Sequence, residues 1–436
     1  MTTIQGYNIN KESIEIIENT KEFKKKLINM IKAAQNRIYI TALYVEKDEA
    51  GMEFIHELLK VKQKNPAIKI KVVVDYHRSQ RNKIGEKDSL TNWDSYNKIN
   101  NQYNNKIEFY AAPVKTKEVL GVFHLKGFII DDQVLYTGAS INNTYTHQND
   151  NYRLDRYQII SQKEIADEMI NFIDTNIIIK KDVQAILSEN KPSRMIINRF
   201  VKKYKKILRN SKYNNPKCEQ GSRIKLLSGL GSKENDINNT IKEIISSAKK
   251  EIRIYTPYFN IPMEVIDILK KKTREDCTIS FIVGDKTTND FYNASSENFH
   301  IINIIPFLYE QNLRKFAESF EEEIHQNKVN IHIWKKQNNS FHLKGISIDD
   351  QTHMITGHNL NPRAWSLDLE NALLIEDEDK HFSEMFKNEF ETILKDTFRV
   401  KQAQDIQNED DYQENIKKII NKLDKFKLSK LIKKII

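Results

Sequence analysis

Two hydrophobic periods alternate along this chain. In FKKKLINMIKAAQN (Phe23 to Asn36) apolar residues return every three to four positions, as on a helix with one buried face, whereas RIYITALYV (Arg37 to Val45) is a nearly unbroken apolar and β-branched run that predicts a strand. A second helical stretch leads to IKVVVDYHRS (Ile70 to Ser79), and a third strand is predicted at KIEFYAA (Lys106 to Ala112). A closing strand follows at RYQII (Arg156 to Ile160), then a helix from Glu164. The second half repeats the order: a helix in IKEIISSAKKE (Ile241 to Glu251), then strands in IRIYTPYF (Ile252 to Phe259), ISFIVGDK (Ile279 to Lys286), VNIHIW (Val329 to Trp334) and NALLIED (Asn371 to Asp377), and a helix from Phe382. Helices alternating with continuous apolar strands predict sheets covered on both faces, so the expected fold class is α/β, with two domains related by internal pseudo-twofold symmetry.

The halves share more than their order. FHLKGFIIDDQ (Phe123 to Gln133) and FHLKGISIDDQ (Phe341 to Gln351) agree at nine of eleven positions and lie 218 residues apart, which marks a duplicated domain rather than a short-period solenoid. Each copy reads H-x-K-x-x-x-x-D: His124, Lys126, Asp131, then His342, Lys344, Asp349. Alternation along a strand sends His and Lys to one face and Phe and Leu to the other. The aspartate falls off that face, in a D-D-Q turn, and is expected to support the site rather than attack. A lone H-x-K carries no information. Near-identity of the block while its surroundings diverge points to function.

An imidazole beside an ammonium suits phosphoryl chemistry. Lysine neutralises charge developing on phosphoryl oxygens, and histidine acts as nucleophile or proton donor. Two such couples supply one nucleophile and one general acid, in opposite protonation states. A nucleophilic histidine needs a carboxylate on its far nitrogen, and each half offers one near its closing strand: Asp155 in LDRYQII and Glu370 in LENALLI. Asn142 in GASIN and Asn361 in GHNLN are candidate donors to phosphate oxygens, and Arg78 and Arg81 in YHRSQR are candidate partners of a substrate phosphate or nucleotide. His358, Asp285, Lys286 and Asp290 have an open status. No spacing among His56, His77, His300, His325, His332 and His381 suggests a metal cluster, and the lysines supply charge where other phosphoryl-transfer sites use magnesium, so no metal or cofactor is expected.

Composition sharpens this picture in two places. Two cysteines exclude a disulfide framework, and the absence of an apolar run of spanning length predicts a soluble or peripheral cytoplasmic protein. The formal charge of +9 is unevenly spread: Lys191 to Lys212 holds nine Lys/Arg and no acid, and Asn415 to Ile436 holds eight Lys and one acid. The expected division is therefore a first domain over 1–190, a basic linker over 191–218, a second domain over 219–400 and a basic amphipathic tail over 401–436. In the tail Ile416, Ile419, Ile420, Leu423, Leu431, Ile432 and Ile435 recur at helical spacing, the pattern of an interfacial helix on anionic lipid. The same charges attract any phosphate polymer, so non-specific nucleic-acid or ribosome association is the competing reading.

Two H-x-K-x4-D blocks, each followed by a G-x-[SN]-x-N turn and an acidic closing strand, resemble the phospholipase D superfamily. TGHNLNPRAWSLDLENALLI, GDKTTNDFY and VDYHRSQR are similar to its bacterial phosphatidylserine synthase branch. The resemblance implies two phospholipase-D-type domains sharing one active site, CDP-diacylglycerol and L-serine as substrates, and a phosphatidyl-histidine intermediate, with His124 favoured as nucleophile by analogy. It also implies association with the inner face of a bacterial membrane. A phospholipase D, a cardiolipin-synthase-like transferase or a nuclease of the same superfamily would share these residues.

Overall fold

The computed structural model describes residues 4–82, 90–178, 184–185, 192–293 and 301–436. Two compact units divide the chain: Met1–Ile237 with Leu367–Leu374, and Asn238–Ser366 with Ile375–Ile436.

In the first unit Arg37–Thr41, Lys69–Asp75 and Glu108–Ala112 run parallel, with the middle strand flanked by the other two. An antiparallel series follows beyond Arg37–Thr41, in the order Gly127–Ile130, Gln133–Thr137, Tyr157–Ser161 and Ile14–Ile16, and Gln184–Ala185 closes the opposite edge. Thr20–Ala33 is helical because Asn19 caps it, accepting from the Lys21 and Glu22 amides at 3.1 and 3.0 Å. Its apolar face (Phe23, Leu27, Ile31) is buried in one cluster with Ile38, Ile40, Val72 and Phe128 of the sheet.

The second unit repeats the plan. Glu251–Thr256, Thr278–Gly284 and Val329–Trp334 are parallel, and the hairpin Gly345–Ile348 with Thr352–Thr356 pairs antiparallel to the first of them. Thr397–Val400 closes the edge beside Val329–Trp334. The expected α/β class with a mixed sheet in each half therefore holds.

The aspartate of each block is built into this scaffold. Asp131 sits at φ 48° and Asp349 at φ 53°. The Asp131 carboxylate accepts from the amides of Gln35, Asn36 and Arg37 at 2.8, 2.8 and 3.0 Å. Asp349 accepts from Lys249, Lys250 and Glu251, each at 2.8 Å. Each carboxylate thus holds the amides at the start of the neighbouring strand. The glycine of each block, Gly127 at φ 138° and Gly345 at φ 152°, occupies a conformation that disfavours a side chain.

The basic segment is helical from Arg194 to Asn210, with Ile197, Val201, Tyr204 and Leu208 buried, and it belongs to the first compact unit; Lys191 lies outside the described residues. The tail forms two helices, Glu414–Lys425 and Leu428–Lys433, parted by Lys427 at φ 55°. Ile416, Ile420 and Leu423 are buried against Ile304, Phe307, Leu308 and Tyr412, with Ile419 and Ile432 packed at the edge. Much of the apolar face that the sequence pattern offers to a bilayer is therefore covered by the chain's own helices. Phe426, Leu428 and Leu431 remain exposed. Among the described residues no helix is long and apolar enough to cross a membrane.

Candidate active site

His124 and Lys126 lie just before the ladder strand Gly127–Ile130, not within it. Side-chain and backbone contacts from elsewhere in the first unit hold this lead-in segment. Phe123 bridges Leu369 in parallel, the His124 amide donates to the Leu369 carbonyl at 2.9 Å, and the Leu369 amide donates to Val122 at 3.0 Å. Asn371 brackets Lys126, accepting from its amide and donating to its carbonyl, both at 2.8 Å. The Tyr136 hydroxyl donates to the Asn371 carbonyl at 2.9 Å. From the sheet side, Asp75 at the end of Lys69–Asp75 accepts from the Phe123 amide at 2.8 Å and from the Arg78 amide at 2.9 Å. Burial pushes the Asp75 carboxyl up to about 6.

This bracing orients the imidazole. The His124 Nδ1–H donates to both carboxylate oxygens of Glu370, at 2.9 and 2.8 Å, with His124 7 % and Glu370 1 % exposed. A carboxylate accepting from Nδ1–H fixes the tautomer that puts the ring's lone pair on Nε2. The acid comes from 246 residues away, from the closing strand of the second repeat. Lys126 is almost fully buried.

In the second unit His342 is buried, and the Lys344 ammonium lies against its ring, 3.1 Å from Nε2 and also within bonding reach of Nδ1. The ring of Tyr258 meets His342 edge-on at 5.9 Å. Tyr258 in turn stacks on Tyr309 at 5.5 Å.

The two turns that follow the blocks share two hydrogen bonds at matching positions. Thr137 Oγ1 accepts from the Ala139 amide at 3.1 Å, and Thr356 Oγ1 from the His358 amide at 3.0 Å. Asn142 Oδ1 accepts from the Tyr145 amide at 2.8 Å, and Asn361 Oδ1 from Ala364 at 3.0 Å. Their unequal distance from the histidines arises earlier, in the hairpins: Ile130 pairs with Gln133 across two residues, but Ile348 pairs with Thr352 across three. The Asn142 amide group donates to the Tyr44 hydroxyl at 3.2 Å, and the Asn361 side chain bonds Tyr309.

Other candidates are placed as follows. Asp155 is buried and accepts from the Arg156 amide at 2.9 Å. Arg78 and Arg81 both pair with Glu118, at 2.9 and 2.7 Å. His358 is buried, its Nδ1 accepts from the Leu360 amide at 3.0 Å, and burial pushes it down to about 4, so the ring is neutral near pH 7. Lys286 ties the tail to its own unit, pairing with Glu310 at 2.7 Å and lying 5.0 Å over the Tyr412 ring. Asp285 caps the turn that carries Lys286 by accepting from Thr287 at 2.9 Å. Sequence reading passed over Asp75, Asn371 and Tyr258; the one available signal was the adjacency of Asn371 to Glu370.

A sequence profile described as "Cardiolipin synthase, PLD-like domain" matches residues 27–177 and 241–394, one match around each block. The chain belongs to the phospholipase-D-like family. Among curated relatives it is 39 % identical over 432 residues to the CDP-diacylglycerol--serine O-phosphatidyltransferase of Haemophilus influenzae, covering 98 % of this chain and 95 % of that one. It is 37 % identical over 428 residues to the enzyme of the same name from Escherichia coli, covering 98 % and 95 %. The crystal structure of phosphatidylserine synthase from Haemophilus influenzae Rd KW20 superposes with a TM-score of 0.95 at 38 % identity, over 99 % of this chain and 97 % of that one. Other family members diverge further: the CDP-diacylglycerol--glycerol-3-phosphate 3-phosphatidyltransferase of Schizosaccharomyces pombe is 23 % identical over 90 % of each chain.

Proposed function

We propose that the protein transfers the phosphatidyl group of CDP-diacylglycerol to L-serine, releasing CMP, by double displacement at one phosphorus atom. The observation that carries the mechanism is the buried Glu370 carboxylate on His124 Nδ1. The Nε2 lone pair of His124 attacks the diacylglycerol-bearing phosphorus, and the bond from that phosphorus to the CMP oxygen breaks. His342 gives its proton to the departing CMP. The Lys344 ammonium beside that ring disfavours a second positive charge, which suits a group that must release a proton. Lys126 and Lys344 neutralise the phosphoryl oxygens. Serine then loses its hydroxyl proton to His342 and attacks phosphorus, and the phosphorus–nitrogen bond breaks with its electron pair returning to His124. Asp155, the acid of the first repeat, assists the same cycle, and Asn142 and Asn361 hold the substrate phosphate through their turns. The curated relatives that match nearly end to end bear the name of this reaction.

The reaction takes place at a membrane surface, to which exposed lysines of the tail and of the helix Arg194–Asn210 draw the protein, with Phe426, Leu428 and Leu431 as the exposed apolar contacts. The decisive experiment incubates purified protein with CDP-diacylglycerol in detergent micelles, with and without serine. Serine-dependent phosphatidylserine and CMP are expected. Phosphatidic acid as the product in both arms would reassign the acceptor to water, and no turnover would remove the reading altogether.

A further inference from the structure

In the second unit the strand Glu251–Thr256 runs out into a short loop whose side chains go three ways. Tyr258 meets His342, with ring centres 5.9 Å apart and ring planes at 66°. Phe259 is buried on the other side, edge-on to Phe281 of the sheet at 5.6 Å and to Phe316 at 5.0 Å. Asn260 turns to the tail, where its amide group donates to the carbonyls of Lys433 and Ile436, both at 2.8 Å. Thr256 Oγ1 donates to the Asn359 carbonyl at 2.7 Å, which pins the start of the loop to the turn that carries Asn361.

One face of the helix Ile305–Ser319 backs all three, because Tyr309, Asn312 and Phe316 stand three and four residues apart on it. Tyr309 stacks on Tyr258 at 5.5 Å with ring planes 13° apart, and it bonds the Asn361 side chain. Asn312 donates to Asn260 Oδ1 at 3.1 Å. The Lys433 ammonium donates to Gln311 Oε1 at 3.1 Å. The last helix, Leu428–Lys433, therefore grips the loop at Asn260 and the backing helix at Gln311, each two residues past one ring of the Tyr258–Tyr309 pair. An imidazole turns about a soft terminal torsion, so its neighbours must set its angle. The Lys344 ammonium is within reach of both ring nitrogens and does not choose between orientations. The tilted contact with Tyr258 is directional and does choose.

We infer that Tyr258 is a positioning residue for His342: stacked on Tyr309 and anchored by the tail at Asn260, it holds the imidazole at the angle from which its proton reaches the leaving group. This assignment rests on the transferase reading and on the proton-donor task given there to His342. The tail then acts on the chemistry itself, apart from any surface it meets.

With CDP-diacylglycerol in detergent micelles, Tyr258→Leu should lower kcat roughly tenfold or more with KM changed less than about threefold, whereas Tyr258→Phe, which keeps the ring, should stay within about threefold of wild type. Asn260→Ala and removal of residues 428–436 should each lower kcat roughly threefold. Asn260→Ala keeps the lysines of the tail, so its effect is separate from membrane contact, and it carries the test if Tyr258→Leu does not fold. A second readout needs no turnover: in ¹⁵N spectra of histidine-labelled protein, with His342 identified by the signals lost in His342→Gln, the two ring nitrogens should be distinct in wild type and Tyr258→Phe and averaged in Tyr258→Leu. Unchanged kcat in folded Tyr258→Leu overturns the assignment. So does a rise in KM alone, which makes Tyr258 a substrate contact, or an equal loss in Tyr258→Phe, which gives the task to the hydroxyl. Full kcat in both Asn260→Ala and the truncated protein overturns the part given to the tail. A wild-type protein whose His342 nitrogens respond to Tyr258 but which makes no phosphatidylserine refutes the function above while leaving this contact standing.

Discussion

The two copies of the block differ in what surrounds their histidines. Within the first unit His124 is gripped by a carboxylate; within the second, His342 is met by an ammonium and the edge of an aromatic ring. A carboxylate raises the basicity of an imidazole and a nearby ammonium lowers it. A sequence that reads as symmetric thus folds into histidines with different surroundings, while the aspartates keep identical ones. The scaffold is the same twice; the groups that meet the imidazole are not.

The largest expected effect tests that division directly. His124→Ala should lose activity on the order of a thousandfold or more, and a phosphatidyl adduct trapped without serine should map to the peptide carrying His124. An adduct on His342 would reverse the assignment. Glu370→Gln keeps the shape but offers an amide NH₂ or a neutral oxygen to Nδ1, so kcat should fall by roughly 10³ with KM nearly unchanged; a variant that instead loses only stability would make Glu370 a structural residue.

The aspartates sharpen the comparison from the other side. Asp131→Ala and Asp349→Ala should each cost about 2 kcal/mol in denaturant titrations, because each strips the shared acceptor from three backbone amides. Folded protein should retain its kcat, and the two losses should match. A collapse of kcat at either position would place that aspartate in the reaction.

The smallest effect concerns Asp75. Its folded-state carboxyl titrates near 6, above its usual value of 3.8, because it is buried. The folded form holds the proton more tightly than the unfolded chain, so this contribution to stability is fully present below about pH 4 and is lost as pH rises through about 6. Asp75→Asn should flatten that part of the stability curve by up to one proton's worth of slope, measured as melting temperature against pH. An unaltered slope would show that another group titrates there.

Much of the architecture was legible in sequence because period and repeat are local signals. Val329–Trp334 matches its predicted limits, and most other strands and helices shift by one to three residues. The couples His124 with Lys126 and His342 with Lys344 stood out for the same reason. What stayed hidden depended on distance or on competing partners. Nothing in an alternation pattern joins Glu370 to His124 across 246 residues. Strand parity put His124 in a ladder, but its segment precedes the ladder and is held by Asn371 and Asp75. Nothing in the chain around Arg78 and Arg81 announces Glu118, the acid that pairs with both. The tail shows the limit of amphipathicity: the pattern demands an apolar neighbour for Ile416 and Ile420 without saying whether lipid or Phe307 supplies it.

The borrowed glutamate makes the first half depend on the second. A free-standing first half, Met1–Ile237, would keep a complete H-x-K couple yet lack the segment Leu367–Leu374, whose Glu370 steadies its histidine. The two repeats are therefore not independent modules: the chain must continue past residue 366 before the first histidine has its carboxylate.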